Sequence, residues 1–448
     1  MKTDTIAAIA TPAGTGAIAL VRVSGPDAAT LCSSLFEGRE RSRWVPRQQH
    51  FGRICEPGGA KVDEVLLTHF PGPASFTGED VVEIACHGGV LVTKRLLQTI
   101  LAAGARPARP GEFSERAFLN GRIDLTQAEA IMDLISARTD LALRAANEQL
   151  EGRLGRIVTG MRQELIQTLA HVEAYIDFPE EDIEPDSAAD LVRAMESLAD
   201  RVERLLATAD EGRILREGIR TVICGPPNAG KSSLMNRLLG FERAIVSDIP
   251  GTTRDTIEET INLKGLPLRL VDTAGIREGT EPVEREGIAR SRAQIASAGL
   301  VLLVVDGHAG REALADVPVP EAGRLVLVLN KSDLPLHPDW SGEKEGFPVS
   351  CLDESSVDRL RDHLYRILIE GTGLASPNPV AINARHQHWL GKAKEDLERA
   401  SELLAAGESP EFVAAELRSS LDHLGEIVGK TDIEEILGEI FSSFCIGK

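Results

Sequence analysis

Hydrophobic positions along this chain change their spacing several times, and each change marks a different kind of structure. In residues 1–117 they form short β-like runs at 17–23 and 81–86 and one helical stretch at 91–102, among many Gly and Pro. That mixture predicts a compact α+β domain. After the Asn120–Gly121 turn, Thr126-x-x-Glu129 reads as a capping box opening a long helical region. Leu150, Leu154, Ile157, Met161, Leu165, Leu169, Val172 and Ile176 then recur at spacings of three and four, as a buried helical stripe requires. Six acids and two prolines in 177–186 break that helix, and Leu191, Met195, Leu198, Val202 and Leu205 resume the pattern. From 220 to 371 strands and helices alternate. The apolar runs 221–224, 300–305 and 325–329 predict central strands of a parallel sheet covered on both faces. Runs 256–263 and 266–271, joined at Lys264–Gly265, predict a hairpin at its edge. Beyond Pro377 the chain is helical again, with Leu417, Leu421, Leu424, Ile427 and Val428 on one stripe. The expected organisation is an α+β domain (1–117), a discontinuous helical domain (118–213 and 373–448) and an α/β domain inserted into it (214–372).

Composition narrows the class. At 448 residues, 42% hydrophobic and 26% charged, the chain is an ordinary globular protein of several domains. No run of about 18 apolar residues exists, so no transmembrane helix is expected. Asp4, Thr5, Thr11, Pro12, Gly14 and Gly16 interrupt any signal-peptide core. Cys32, Cys55, Cys86, Cys224, Cys351 and Cys445 lie far apart without a CxxC pair, which predicts neither zinc nor disulfides and a reduced cytoplasmic location. The net charge of −20 works against nonspecific binding to polyanions. The first 117 residues are nearly neutral, and Lys94, Arg95, Arg106, Arg109, Arg116 and Arg122 form a local basic surplus. That surplus is either a nucleic-acid surface or a solvated face, the second being the better default.

Chemistry enters at Gly225-Pro226-Pro227-Asn228-Ala229-Gly230-Lys231-Ser232, a GxxxxGK[ST] string between a strand and a helix. Backbone N–H groups of such a loop cradle phosphates, with Lys231 reaching the β and γ phosphates and Ser232 coordinating Mg²⁺. Leu270-Val271-Asp272-Thr273-Ala274-Gly275 ends a strand with an acid for Mg²⁺, through water, and a glycine N–H for the γ-phosphate. Asn330-Lys331-Ser332-Asp333 follows the 325–329 strand. The Asp333 carboxylate suits the N1–H and 2-amino donors of guanine, which adenine lacks, so the series selects GTP. Between them stands Gly251-Thr252-Thr253-Arg254-Asp255, with Thr253 preferred as the second Mg²⁺ ligand and Thr252 the alternative. Ile276 occupies the place where a glutamine would orient the attacking water. Glu284 is either a group acting through a bridging water or an acid at a helix N-terminus. A monovalent cation held by Asn228 and nearby carbonyls would compensate charge.

With these motifs, the whole chain resembles the tRNA-modification GTPase family known as MnmE or TrmE. The likeness rests on the opening 4–12, on Ser75-Phe76-Thr77-Gly78-Glu79-Asp80, on His87-Gly88-Gly89, on 109–120, on 125–130 and on the terminal Cys445-Ile446-Gly447-Lys448. The resemblance implies a folate-binding N-terminal domain that dimerises, a discontinuous helical domain and an inserted Ras-like P-loop GTPase domain. It implies a homodimer that assembles into a heterotetramer with a flavin-dependent (FAD) partner, MnmG (GidA). Together they would add an aminomethyl or carboxymethylaminomethyl group at C5 of a tRNA wobble uridine, using 5-formyltetrahydrofolate or 5,10-methylenetetrahydrofolate. By motif position, Arg22, Glu83, Arg122 and Lys448 match folate contacts. Glu284 matches the catalytic glutamate, acting with Lys231 and Thr253, and Asn228, Ser247, Ile249 and Thr252 match K⁺ ligands. The nucleotide contacts extend to Ser233, Asp248, Pro250, Ser350, Cys351 and Leu352, and Cys445 matches a C-terminal cysteine. Arg122 stands where some members of the family have lysine, and Cys351 departs from the usual Ser-Ala. A ribosome-assembly or signalling switch GTPase is the alternative, and it would carry a basic RNA-binding appendage.

Overall fold

The computed structural model describes residues 4–38, 44–177, 188–241, 258–272, 293–314, 324–340, 346–370, 380–429, 444 and 447. They divide into two compact units: Met1–Met132 with Gly155–Thr159 and Gly425–Lys448, and Asp133–Leu154 with Gly160–Leu424.

The first unit is built on a seven-stranded sheet of order β3-β4-β5-β6-β2-β1-β7. Its strands are β1 (Ile6–Ile9), β2 (Ile18–Ser24), β3 (Phe36–Gly38), β4 (Gln49–Cys55), β5 (Lys61–Phe70), β6 (Val81–His87) and β7 (Arg106–Pro107). The two predicted β-runs are direct neighbours, β2 pairing antiparallel with β6 so that Arg22 faces Glu83. Val21, Val23, Val82 and Ile84 alternate onto one face and pack with helices α1 (Ala28–Leu35) and α2 (Val90–Ala102) through Cys32, Leu96 and Ile100. Strand alternation therefore puts Arg22 and Glu83 on the opposite face. Helix α3 (Glu112–Leu119) brings Phe113 to Ile6 and Ala8 on that side.

Helix α4 (Leu125–Ser136) begins one residue before the expected cap, and its actual cap, Asp124, stands two residues before it. Asp124 and Gln127 form the reciprocal pair: the Gln127 N–H donates to Asp124 Oδ1 (2.9 Å) and the Asp124 N–H to Gln127 Oε1 (3.0 Å). Thr126 is buried and donates its hydroxyl to Asp124. The predicted capping box was thus out of register, because Asp is as good a cap as Thr and the Gln that answers it precedes Glu129.

The second unit joins a helical part to a six-stranded sheet of order β13-β12-β11-β8-β10-β9. Strands β8 (Ile219–Cys224), β10 (Leu266–Asp272), β11 (Leu300–Asp306), β12 (Arg324–Asn330) and β13 (Gly346–Val349) run parallel. The edge strand β9 (Glu258–Leu263) forms the predicted hairpin with β10, turning at Lys264 and Gly265, both with positive φ. On β11, Leu300, Leu302 and Val304 join one core and Val301, Leu303 and Val305 the other, which is why that run carries no polar alternation. Helices α9 (Lys231–Phe241) and α10 (Glu354–Ile369) cover the first face.

The helical part comprises α5 (Asp140–Leu150), α6 (Arg153–Asp177), α7 (Ala188–Leu206) and α8 (Ala209–Glu217) before the sheet, and α11 (Ala384–Ala405) and α12 (Pro410–Val428) after it. The long predicted stripe is interrupted at Gly152, whose φ of 79° ends one helix before the next. Its buried members are Leu154, Met161, Leu165, Leu169 and Val172, with Val158 in place of Ile157. Helix α7 packs along α11, and Lys394 reaches Glu203 at 2.9 Å. Helices on either side of the inserted sheet therefore meet.

Candidate active site

The phosphate loop leaves β8 and enters α9. Gly225 has φ 143° and a side chain there would collide with the Val304 carbonyl; Gly230, at φ 91°, would collide with the Asn330 amide. Both positions are closed to any residue with a Cβ. Asn228 is held left-handed at φ 60° on the exposed crest of the loop. Lys231 Nζ donates to the carbonyls of Gly225 (2.9 Å) and Pro226 (2.7 Å), which poises an ammonium over the loop. Ala229 is buried, whereas Ser232 and Ser233 are exposed on the first turn of α9, where its N–H groups favour an anion. Asp272 ends β10 beside Ile223, so backbone register brings it to the mouth of the loop.

The far side of this site is wired to the loop through Asn330. Its amide Nδ2 donates to the Ala229 carbonyl at 2.8 Å, and its Oδ1 accepts from the Cys351 thiol at 3.4 Å. Lys331 is left-handed (φ 62°) and pairs with Asp306 at 2.6 Å. Burial opposes ionisation of Asp306, but hydrogen bonds from Lys331 and the His308 N–H override it and hold the carboxyl below its usual range. The Ser350 hydroxyl donates to Asp333 Oδ1 at 2.6 Å and so orients a carboxylate exposed toward solvent. Leu352 is exposed. Ser247, Asp248, Ile249, Pro250, Gly251, Thr252, Thr253, Thr273, Ala274, Gly275 and Glu284 lie outside the described residues.

In the first unit, Arg22 donates from Nε (3.0 Å) and Nη2 (2.8 Å) to one oxygen of Glu83, Oε1. The guanidinium lies 5.2 Å from the Phe76 ring centroid and 5.7 Å from that of Phe113. Arg122 donates to the Ser75 carbonyl at 3.1 Å, and Asn120 to the Thr77 carbonyl at 2.7 Å. The loop Ser75–Gly78 thus gathers Arg22, Glu83 and Arg122 into one neighbourhood. Gly447, at φ 99°, sits against the end of β1, where a Cβ would come 2.5 Å from the Ile9 carbonyl. Phe444 packs with Leu125 and Ala128. Lys448 and Cys445 lie outside the described residues. Phe76 and Phe113 were not foreseen: aromatic residues so far apart carry no spacing signal.

The basic surplus of 88–122 is exposed except at Arg106 and Arg116, but most of it is paired with acids. Arg116, with its side chain 8% exposed, meets Glu79, Glu112 and Asp4; Arg106 meets Asp4 and Glu112. Arg109 pairs with Glu115 and Arg95 with Glu56. Hydrogen bonds from Arg106 hold the Asp4 carboxyl down at about 2. Arg95, Arg106, Arg109 and Arg116 are thus paired with acids of the same unit, which is neither of the two readings the sequence offered.

Two family models match the chain: GTP-binding protein TrmE N-terminus over residues 5–122, and MnmE helical domain over residues 125–445. A tRNA modification GTPase MnmE of Akkermansia muciniphila is 52% identical over 445 residues, covering 99% of each chain. Proteins of the same name from Syntrophotalea carbinolica and Geobacillus thermodenitrificans are 47% and 45% identical, again over 99% of each chain. Among solved structures, Era from Aquifex aeolicus is 26% identical over 33% of this chain and 56% of its own, at a TM-score of 0.26. With full-length relatives at this identity and both family models in chain order, the protein belongs to the MnmE (TrmE) family of tRNA-modification GTPases.

Proposed function

We propose that this GTPase uses Mg²⁺ and K⁺ at the nucleotide site and a reduced folate at the Arg22–Glu83 site. It would act in the cytoplasm as a homodimer, in a heterotetramer with the flavin-dependent MnmG (GidA), to modify C5 of the wobble uridine of certain tRNAs. The reduced folate, 5-formyltetrahydrofolate or 5,10-methylenetetrahydrofolate, supplies the one-carbon unit. The observation that carries this reading is the convergence of Arg22, Glu83 and Arg122 on Ser75–Gly78, with Gly447 against β1. Glu83 keeps its second oxygen for the N–H edge of a pterin, while Arg22 fixes its rotamer through the first. Arg122, and Lys448 one residue beyond Gly447, are the cations for an anionic glutamate tail. Arg122 preserves the charge of the lysine that some members have there, with a broader, forked geometry.

At the nucleotide site, Lys231 and the α9 N–H groups hold the phosphates, and Asp333, oriented by Ser350, accepts from guanine. Ser232 and Thr253 would hold Mg²⁺; Asn228, Ser247, Ile249 and Thr252 would hold K⁺. The crest position of Asn228 and the exposed Ser232 hydroxyl suit those roles. Ile276 offers no hydrogen bond to water, which leaves Glu284 to orient the attacking water through a bridging one. GTP turnover should be faster in K⁺ than in Na⁺, and equal rates would refute the cation assignment. The test of the whole reading is mass spectrometry of wobble uridine in tRNA from cells lacking the protein: loss of the C5 substituent is expected, and unchanged modification would overturn it.

A further inference from the structure

We infer that the Cys351 thiol is a positioning residue for the nucleotide, fixing the Asn330 amide that ties the base side of the site to the phosphate loop. The inference rests on the reading of Asn330 and Asp333 as guanine contacts. Asn330 is 3% exposed, so water does not reach its side chain freely. With Nδ2 committed to the Ala229 carbonyl at 2.8 Å, Oδ1 must point the other way and needs a donor. The Cys351 S–H provides it at 3.4 Å. The thiol is itself held in place. Arg237, on α9, donates through Nε to the Cys351 carbonyl at 2.8 Å, and the preceding Ser350 N–H is bound to the Ser356 hydroxyl at 2.9 Å. Burial pushes the Cys351 thiol up from its ordinary range, so the proton it must donate stays on sulfur at neutral pH.

Two consecutive residues thereby serve the two reading side chains: Ser350 orients Asp333, and Cys351 orients Asn330. An alanine at 351 fits the space and leaves Oδ1 without this donor. The amide can then rotate, which loosens its hold on Ala229 and on the loop that carries the phosphates. A serine keeps a donor at the same place.

The test is stopped-flow release of methylanthraniloyl-GDP from the full-length protein. Cys351→Ala should speed release about three- to tenfold, and Cys351→Ser should return it most of the way. In GTP hydrolysis the effect of Cys351→Ala should fall on KM and not on kcat. In an Asn330→Ala background, Cys351→Ala should add nothing, because the group it positions is gone. Release unchanged in Cys351→Ala, no recovery in Cys351→Ser, or an equal effect without Asn330 would each overturn the inference. Asp333→Asn separates the two levels: unchanged guanine affinity there would remove the base-site reading itself.

Discussion

Arg116→Met should unfold the first unit far more readily than any exposed arginine substitution in the chain. Arg116 donates to Glu79 (3.0 and 3.2 Å), to Glu112 (3.2 Å), and to the side chain (2.8 Å) and carbonyl (2.7 Å) of Asp4. When it is removed, Glu112 and Asp4 keep Arg106, but Glu79, 11% exposed, keeps only the Ser24 hydroxyl among these partners. Breaking a buried ion pair from one side costs about 3–5 kcal/mol, and the surviving Ser24 bond puts this case near 3. With an m of about 1.5 kcal/mol per molar urea, the midpoint should fall by about 2 M. The chain has three tryptophans, and only Trp44 lies in the first unit. Fluorine NMR of 5-fluorotryptophan protein therefore follows that unit through a urea titration without confusing it with Trp340 or Trp389. Adding Glu79→Gln should recover part of the loss, since no charge is then stranded. A midpoint shift under about 0.5 M, or a double variant no more stable than the single one, would refute the stranded-charge reasoning.

The same cluster sets an acid limit. Asp4 titrates at about 2 when folded and near 3.8 when unfolded, so its contribution is complete above about pH 4 and is lost as pH falls toward 2. Urea midpoints of the Trp44 transition should drop across that window less steeply in Asp4→Asn than in the parent protein, and parallel curves would exclude Asp4. Deleting Cys445–Lys448 should weaken 5-formyltetrahydrofolate binding in calorimetry and leave GTP hydrolysis largely intact; full affinity would remove Lys448 from the folate site. Lys231→Ala should weaken nucleotide binding, whereas Glu284→Ala should slow hydrolysis at nearly unchanged GTP affinity, and a large rise in Kd for the latter would make Glu284 a structural acid.

Much of this molecule was legible because its signals are local. The phosphate loop is one uninterrupted string, and the β11 run 300–305 is apolar at every position because both of its faces are covered. The Lys264–Gly265 turn announced its hairpin through the residue types a positive φ demands. Asp333 was readable from four letters, but its orientation by Ser350 was not. What escaped were relations between distant residues with no fixed spacing. Arg116 reads as one more surface cation until α3 presses it against Glu79 and Asp4. Phe76 and Phe113 become walls for Arg22 only once β2, α3 and the 75–78 loop are assembled. The misplaced cap before α4 is a different failure, since Thr126-x-x-Glu129 and Asp124-x-x-Gln127 overlap and local chemistry favours both.

The placement of Phe444 and Gly447 has a consequence for how the protein is made. The strands of the first unit are synthesised before those of the GTPase sheet, yet Leu125, Ala128 and the end of β1 wait for residues 444 and 447 to arrive. By then the whole inserted domain has left the ribosome and, folding as a unit, can already be complete. The unit translated before the GTPase sheet is therefore completed after it. Until then Leu125 and Ala128 lack the cover that Phe444 gives them. A nascent chain stalled anywhere beyond residue 370 would hold every described strand of the GTPase sheet and still present an unfinished amino-terminal unit to chaperones and proteases.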